Sequence, residues 1–140
     1  MANALNRTEA TRPTAFTAAA VRRDGLGRRR AFSALVAELD RRIVGYAAFA
    51  TTYNTDIAAR ELWMHDLYVI PRARSRGVGR ALVRAVAREA MRRGLRRLGW
   101  GVRGTNAGAM RFYRRLGAHI SQTRSVALLA GPLARLAARP

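Results

Sequence analysis

The stretch ARSRGVGRAL, Ala73–Leu82, sets two glycines among three arginines. The run Leu67–Ile70 precedes it, closed by Pro71, and a helical pattern follows. A strand, a glycine turn and a helix in that order make an anion-binding arrangement. The first amides of a helix have no partner within the helix. The helix dipole makes that end positive, and glycine lets the backbone come close to a phosphate. Gly77 and Gly79 would give that approach, with the amides of Arg76, Val78 and Arg80 turned to phosphate oxygens. Arg74 and Arg76 add charge that persists at any working pH.

Three phosphate loops use glycines in this way. The Walker loop ends in Gly-Lys and a hydroxyl residue, which is absent here. The dinucleotide fingerprint needs a third glycine where Leu82 stands, and an acidic residue near the end of the next strand. Neither is present. The third is a coenzyme A pyrophosphate loop: Arg or Gln, any two residues, Gly, any one, then Gly or Ala. Arg74, Gly77 and Gly79 fit it. A plain glycine helix start with exposed arginines is the structural alternative.

Composition narrows the chemistry. The 140 residues suit one domain with one core, and 49% of them are hydrophobic. The 27 basic residues face 8 acidic ones, a net charge of +19, and every basic residue is arginine. Such a field attracts anions: a phosphorylated cosubstrate, nucleic acid or an acidic membrane. With no cysteine, disulfides, thiolate metal sites and a cysteine nucleophile are excluded. His65 and His119 are the only histidines, too few for a histidine-rich zinc site. No apolar run nears the roughly 20 residues that span a bilayer, so a cytoplasmic protein without a membrane partner is expected.

The elements that would hold the turn follow from periodicity. Residues 1–12 read as disordered. A short helix is expected over Thr14–Arg23, stopped by Asp24-Gly25. Strands are expected over Phe32–Glu38, Ile43–Tyr53 and Glu61–Ile70, with a hairpin turn at Asp40-Arg41-Arg42. Leu82, Val83, Val86, Ala87 and Ala90 form a helical stripe opposite Arg84, Arg88 and Arg92, and Gly94 closes that helix. Leu95–Val102 reads as a strand. Thr105 or Asn106 caps a second helix to Leu116, closed by Gly117. Ile120–Ala130 reads as strand and Pro132–Ala138 as a terminal helix. The order is a β-meander followed by βαβαβ, an α+β (α/β) sheet covered by helices.

Two linked segments carry a family resemblance. HDLYVIPRARSRGVGRALVRAVAREAMRRG resembles the acetyl-CoA-binding segment of the GNAT N-acetyltransferase superfamily. NAGAMRFYRRLGA resembles its second signature, an asparagine followed by a helix with Phe-Tyr and a closing glycine. The pieces RDGLG, FSALVAE, IVGYA and HDLYV follow the order of the spermidine/spermine (diamine) N-acetyltransferase branch. His65 stands where that branch typically has glutamate.

The resemblance implies a mixed, mostly antiparallel sheet flanked by helices in one acetyltransferase-like domain, residues 1–140. The usual first strand and helices would need roughly 50 residues before Phe32, so a shortened N-terminal part is expected. It implies acetyl-CoA as cosubstrate, held at the pyrophosphate by Arg74, Arg76, Gly77, Val78, Gly79 and Arg80. Leu67 and Val69 would pair their backbone with the pantetheine arm, as an added strand would. Asn106 would hydrogen-bond that arm, and Phe112 would pack near it. Tyr113 would protonate the departing thiolate. His65 would take the amine's proton, since imidazole titrates near neutrality. Asp66 and Glu61 would face a small-molecule amine, although Asp66 could equally orient a base or pair with an arginine. Trp63 and Trp100 read as core, and His119 as exposed. A homodimer is expected.

Two other functions fit parts of the sequence. One is an acetyl-CoA-binding module without turnover. The other is a basic nucleic-acid-binding protein, resting on the arginine excess. The arginines are spread along the chain, without an aromatic platform, so nucleic acid would bind only non-specifically.

Overall fold

The computed structural model describes residues 16–121. Contacts divide the chain into two compact units, one ending at Arg103 and one beginning at Gly104. The stretches 1–12, 122–130 and Pro132–Ala138, with the terminal helix expected there, lie outside the described residues.

The first unit opens with α1, Ala18–Ala20, extended by a wider π turn over Val21–Gly25. Thr17 caps it, its hydroxyl accepting from the Ala20 amide. Asp24-Gly25 ends it as expected, and the Asp24 carbonyl accepts from the amides of Ala31 and Phe32. Strands β1 (Ser33–Leu39) and β2 (Arg42–Asn54) form a hairpin with Leu39 opposite Arg42. Its two loop residues, Asp40 and Arg41, have φ of 50° and 58°. Both therefore sit in the left-handed region that a tight two-residue hairpin requires. Strand β3 (Ala59–Val69) runs antiparallel to β2.

Helix α2, Val78–Arg92, carries the chain back across the sheet. Its stripe buries Leu82, Val83, Val86 and Ala90, and each large apolar side chain contributes about 1.5–3 kcal/mol. Gly94, at φ 70°, closes it. The Leu95 amide reaches the Ala90 carbonyl and the Gly94 amide reaches that of Met91, the hydrogen-bond pair of a Schellman cap. Strand β4, Leu98–Trp100, then lies parallel to β3 beside Leu62–Met64. The sheet order is β1-β2-β3-β4, the mixed and mostly antiparallel sheet that was expected.

The expected strand Leu95–Val102 is thus only three residues long. Leu95 is held by the helix cap, and glycines at 99 and 101 weaken the ladder. Central β2 is buried continuously from Val44 to Phe49. On one face the α2 residue Leu82 packs close to Gly45, and the Arg93 guanidinium lies over the Phe49 ring at 5.6 Å. On the other, Tyr46, Ala48 and Tyr68 cluster with Phe32 and Ile70.

In the second unit α3 spans Ala107–Arg115. Asn106, not Thr105, is its cap, with Oδ1 accepting from the Ala109 amide at 3.0 Å. Gly117 closes it with a second Schellman pair, Ala118 to Tyr113 and Gly117 to Arg114. Ile120 and Ser121 are described and lie in no strand. No helix among the described residues is long and apolar enough to cross a membrane.

Candidate active site

The arginine-glycine turn follows β3 through a single 3-10 turn, Pro71–Ala73. Pro71 supplies the fixed φ of a first helical position. Gly77 is the N-cap of α2, with φ 80° and no side-chain acceptor on the first amides. The first helical bond runs from the Ala81 amide to the Gly77 carbonyl. The amides of Val78, Gly79 and Arg80 therefore end the helix without a capping side chain, the condition for receiving an anion. Ser75 is also left-handed, at φ 59°.

The three arginines differ. Arg74 folds back, its Nε donating to the Val69 carbonyl at 3.0 Å and its guanidinium lying 5.9 Å from the Tyr68 ring centroid. Arg76 and Arg80 are exposed and form no ion pair with a carboxylate among the described residues.

The strand leading into the turn has one irregular point. Ala48 pairs with Asp66 and Phe49 with Met64, so His65 is an extra residue, a β-bulge. The bulge inverts the alternation of everything after it. Before it, Glu61 and Trp63 share a face opposite Leu62 and Met64. After it, Asp66 and Tyr68 lie on the Glu61–Trp63 face, while Leu67 and Val69 lie on the α2 face. The backbone edges invert as well. The Leu62 amide points toward β4, donating to the Arg97 carbonyl, while the Ile70 amide points toward β2, donating to that of Val44. By alternation Leu67 and Val69 turn their backbone groups to the edge away from β2. β4 pairs only as far as Met64. Among the described residues of this unit, no strand occupies the edge at Leu67–Val69.

Upstream of His65 an open cleft of about 510 Å³ runs along β2 and β3. Thr52, Tyr53, Asn54, Glu61, Trp63 and His65 line it. His65 is exposed. Glu61 is only 3% exposed. Its Oε2 lies 2.7 Å from Arg97 Nε, and its Oε1 accepts from Asn54 Nδ2 at 3.2 Å. The Arg97 contact is an ion pair without hydrogen-bond alignment, so Oε2 is buried without a well-directed donor. Asp66 accepts from the Tyr46 hydroxyl at 3.1 Å and does not line the cleft. Trp63 is a half-buried wall of the cleft and not core, and Trp100 is likewise half-buried.

Among the residues of the second unit, α3 holds Phe112 and Tyr113 with ring centroids 5.1 Å apart. Tyr113 is buried and Phe112 half-buried. The Asn106 Oδ1 is committed to the helix cap, so its Nδ2 is the side-chain group outside that bond. His119 is exposed, as expected.

The first unit therefore brings the turn, the Leu67–Val69 edge and His65 onto one strand. Sequence reasoning missed the lining by Thr52 and Asn54 and the partnership of Arg97 with Glu61. The polar alternation Thr52, Asn54 at the end of β2 was the available signal.

Comparison with known proteins gives this arrangement a family. The sequence model of the Acetyltransferase (GNAT) family matches residues 3–118. A thialysine N-epsilon-acetyltransferase from Mus musculus is 32% identical over 107 residues, 71% of this chain. The chain spans 62% of the length of that curated relative. Among solved structures, an integron cassette protein from the mobile metagenome of V. cholerae superposes with a TM-score of 0.70 at 25% identity, covering 77% of this chain and 67% of that one. An aminoglycoside acetyltransferase from an uncultured soil metagenomic sample, in complex with sisomicin, shares the fold with a TM-score of 0.73 at 16% identity, covering 90% and 84%. The resemblance carried by the two sequence motifs holds, and the chain belongs to the acetyltransferase (GNAT) family, which uses acetyl-CoA as cosubstrate.

Proposed function

We propose that this chain is an acetyl-CoA-dependent N-acetyltransferase, one acetyltransferase domain that passes acetyl directly to a primary amine of a small molecule in a ternary complex. The observation that carries the reading is the continuity along β3. Among the described residues of the first unit no strand covers the backbone edge at Leu67–Val69, where Arg74 takes the Val69 carbonyl. This edge leads into a helix start with uncapped amides and two arginines, Arg76 and Arg80, without a carboxylate partner among those residues. A strand edge recognises an extended chain bearing amides, and the helix start recognises its phosphates. Pantetheine pyrophosphate has both parts in that order.

Each residue then has a task. The amides of Val78, Gly79 and Arg80, with Gly77 allowing close approach, hold the pyrophosphate, and Arg76 and Arg80 neutralise it. Arg74 contributes the rest of its guanidinium while steadying the end of β3. Leu67 and Val69 align the pantetheine arm, with Asn106 and Phe112 assigned to the same arm. His65 accepts the proton of the attacking amine. The new bond joins the amine nitrogen to the acetyl carbon, the carbon–sulfur bond breaks, and the Tyr113 hydroxyl protonates the departing thiolate. Without cysteine there is no thiol to carry the acetyl group in between. Asp66 and Glu61 are the carboxylates assigned to the acceptor side; Glu61 lines the cleft paired with Arg97, and Asp66 is bonded to the Tyr46 hydroxyl. The cytoplasm is the proposed location. A homodimer is proposed because β1 is an edge strand among the described residues, with Val36 58% exposed, a surface that a second copy would cover.

Calorimetric titration with acetyl-CoA at physiological salt tests the reading. Saturable one-site binding competed by CoA is expected, followed by amine-dependent CoA release. No binding at millimolar ligand overturns it. Tyr113→Phe is expected to lower turnover about 10²–10⁴-fold while acetyl-CoA affinity stays the same. Equal turnover in the variant removes Tyr113 from the acid role.

A further inference from the structure

We infer that the cleft beside His65 selects a primary monoamine on a neutral, hydroxyl-bearing body, and discriminates against polycationic amines, because its one carboxylate is already neutralised by Arg97. This rests on the acetyltransferase reading and names the acceptor class of the same site.

A polyamine carries ammonium groups beyond the one that reacts. Each needs an unpaired carboxylate, since desolvating a cation without a counter-charge is costly. Among the described residues, Glu61 is the only acidic residue lining the cleft. It is 3% exposed, 2.7 Å from Arg97 and bonded to Asn54. Asp66, the nearest other carboxylate along β3, is bonded to the Tyr46 hydroxyl and stays outside the lining. Among the described residues no second carboxylate lines the cleft, and the chain as a whole carries +19. Repulsion of a dication or trication by that field is not offset locally.

What the lining does offer is neutral hydrogen bonding and an aromatic wall. Thr52 and Thr55 present hydroxyls and Trp63 presents an indole, while the Asn54 side chain is held by Glu61 and by the Asp56 amide. A small number of placed polar groups beside an aromatic surface is how pockets recognise uncharged, hydroxyl-bearing bodies. The Glu61–Arg97 pair is thus a positioning and selectivity device. It ties β3 to the segment leading into β4, and it removes from the cleft the charge that would attract a polycation. Gly99 belongs to the same device, since a Cβ there would stand 2.8 Å from the Trp63 ring and 3.5 Å from Glu61 Oε2.

The experiment compares kcat/KM for glucosamine and spermidine in the wild-type chain and in Arg97→Gln, after acetyl-CoA affinity has been measured for each. Arg97 is half-exposed and touches none of the assigned cosubstrate residues, so equal acetyl-CoA affinity is expected and certifies the fold. The wild type is expected to prefer glucosamine at least tenfold. Arg97→Gln frees the Glu61 carboxylate and is expected to shift the ratio toward spermidine by at least tenfold. The double variant Arg97→Gln with Glu61→Gln should return the ratio to within about threefold of wild type. A wild-type preference for spermidine, or a ratio that Arg97→Gln leaves unchanged, overturns the inference while leaving the acetyltransferase reading in place. Absence of acetyl-CoA binding overturns that reading and this inference together.

Discussion

The two halves of β3 treat charge in opposite ways. At its N-terminal half Glu61 is buried, ion-paired to Arg97 and bonded to Asn54, and β4 closes the backbone edge. At its C-terminal half no strand covers the edge among the described residues of this unit, and in the turn beyond Arg76 and Arg80 pair with no carboxylate among those residues, beside uncapped helix amides. The bulge at His65 separates the halves. One strand thereby presents a neutral, shaped wall on one side of His65 and, on the other, the turn proposed to receive an anion. The contrast also shows that net charge is a poor guide to local chemistry. A +19 chain still builds a cleft whose one carboxylate among the described residues is paired with an arginine.

The contrast breaks most sharply at Gly77. Its φ of 80° disfavours any side chain, and a β-branched one most of all. Gly77→Val should weaken acetyl-CoA by about a hundredfold, roughly 2.7 kcal/mol, combining backbone strain with lost phosphate approach. Gly77→Asn, whose side chain tolerates the left-handed region, should keep most of the affinity. Calorimetry on both decides, and unchanged affinity in Gly77→Val would remove the turn from the pyrophosphate site.

The opposite half is tested through packing. Gly99→Val drives a Cβ into the Trp63 ring, which stands 2.8 Å away. Overpacking of this kind costs about 1–3 kcal/mol, read as a lower thermal midpoint with acetyl-CoA affinity per folded molecule preserved. A lost affinity with an unchanged midpoint would mean that the two halves are not separable.

Paired and unpaired arginines should behave differently too. Arg76→Gln with Arg80→Gln is expected to weaken acetyl-CoA about fivefold, near 1 kcal/mol, and the loss should shrink as salt rises. Arg92→Gln, which alters an arginine bound to Glu89 at 2.7 Å, should leave the affinity alone. Equal effects at both places would reduce the turn to a general electrostatic attraction.

The smallest effect concerns Glu89. Hydrogen bonds from Arg92 and Arg93 hold its carboxyl well below the ordinary value, at about 2. A carboxyl depressed on folding adds stability above its unfolded value near 4.5 and loses it as pH falls through about 2. Arg92 is largely exposed, so screening keeps the contribution to about 0.5–1 kcal/mol. Glu89→Gln should be less stable than wild type by that amount at pH 7 and equal to it below pH 2, by urea unfolding at each pH. A gap that survives at pH 2 would have another cause than charge.

Several elements were legible because their causes are local. The hairpin turn expected at Asp40-Arg41-Arg42 is present, with Arg42 already paired in β2, and Gly94 and Gly117 close their helices, since each is set by backbone dihedrals within one turn of chain. The stripe of α2 and the glycine start at Gly77 are equally local. The strand expected over Leu95–Val102 was overlong because apolar content does not reveal that a helix cap claims Leu95. Trp63 was misplaced in the core because burial depends on what lies across the sheet.

From residue order alone came the strand, turn and helix proposed to receive a phosphate, along with the exclusion of cysteine chemistry. Both depend on side-chain identity and near neighbours. Folding supplied the bulge at His65, the short β4 and the Arg97–Glu61 pair. A bulge arises when two strands of unequal demand are forced into one register, and an ion pair between residues 36 positions apart exists only when the sheet brings them together. Those long-range terms set which edge of β3 stays open and which carboxylate stays available.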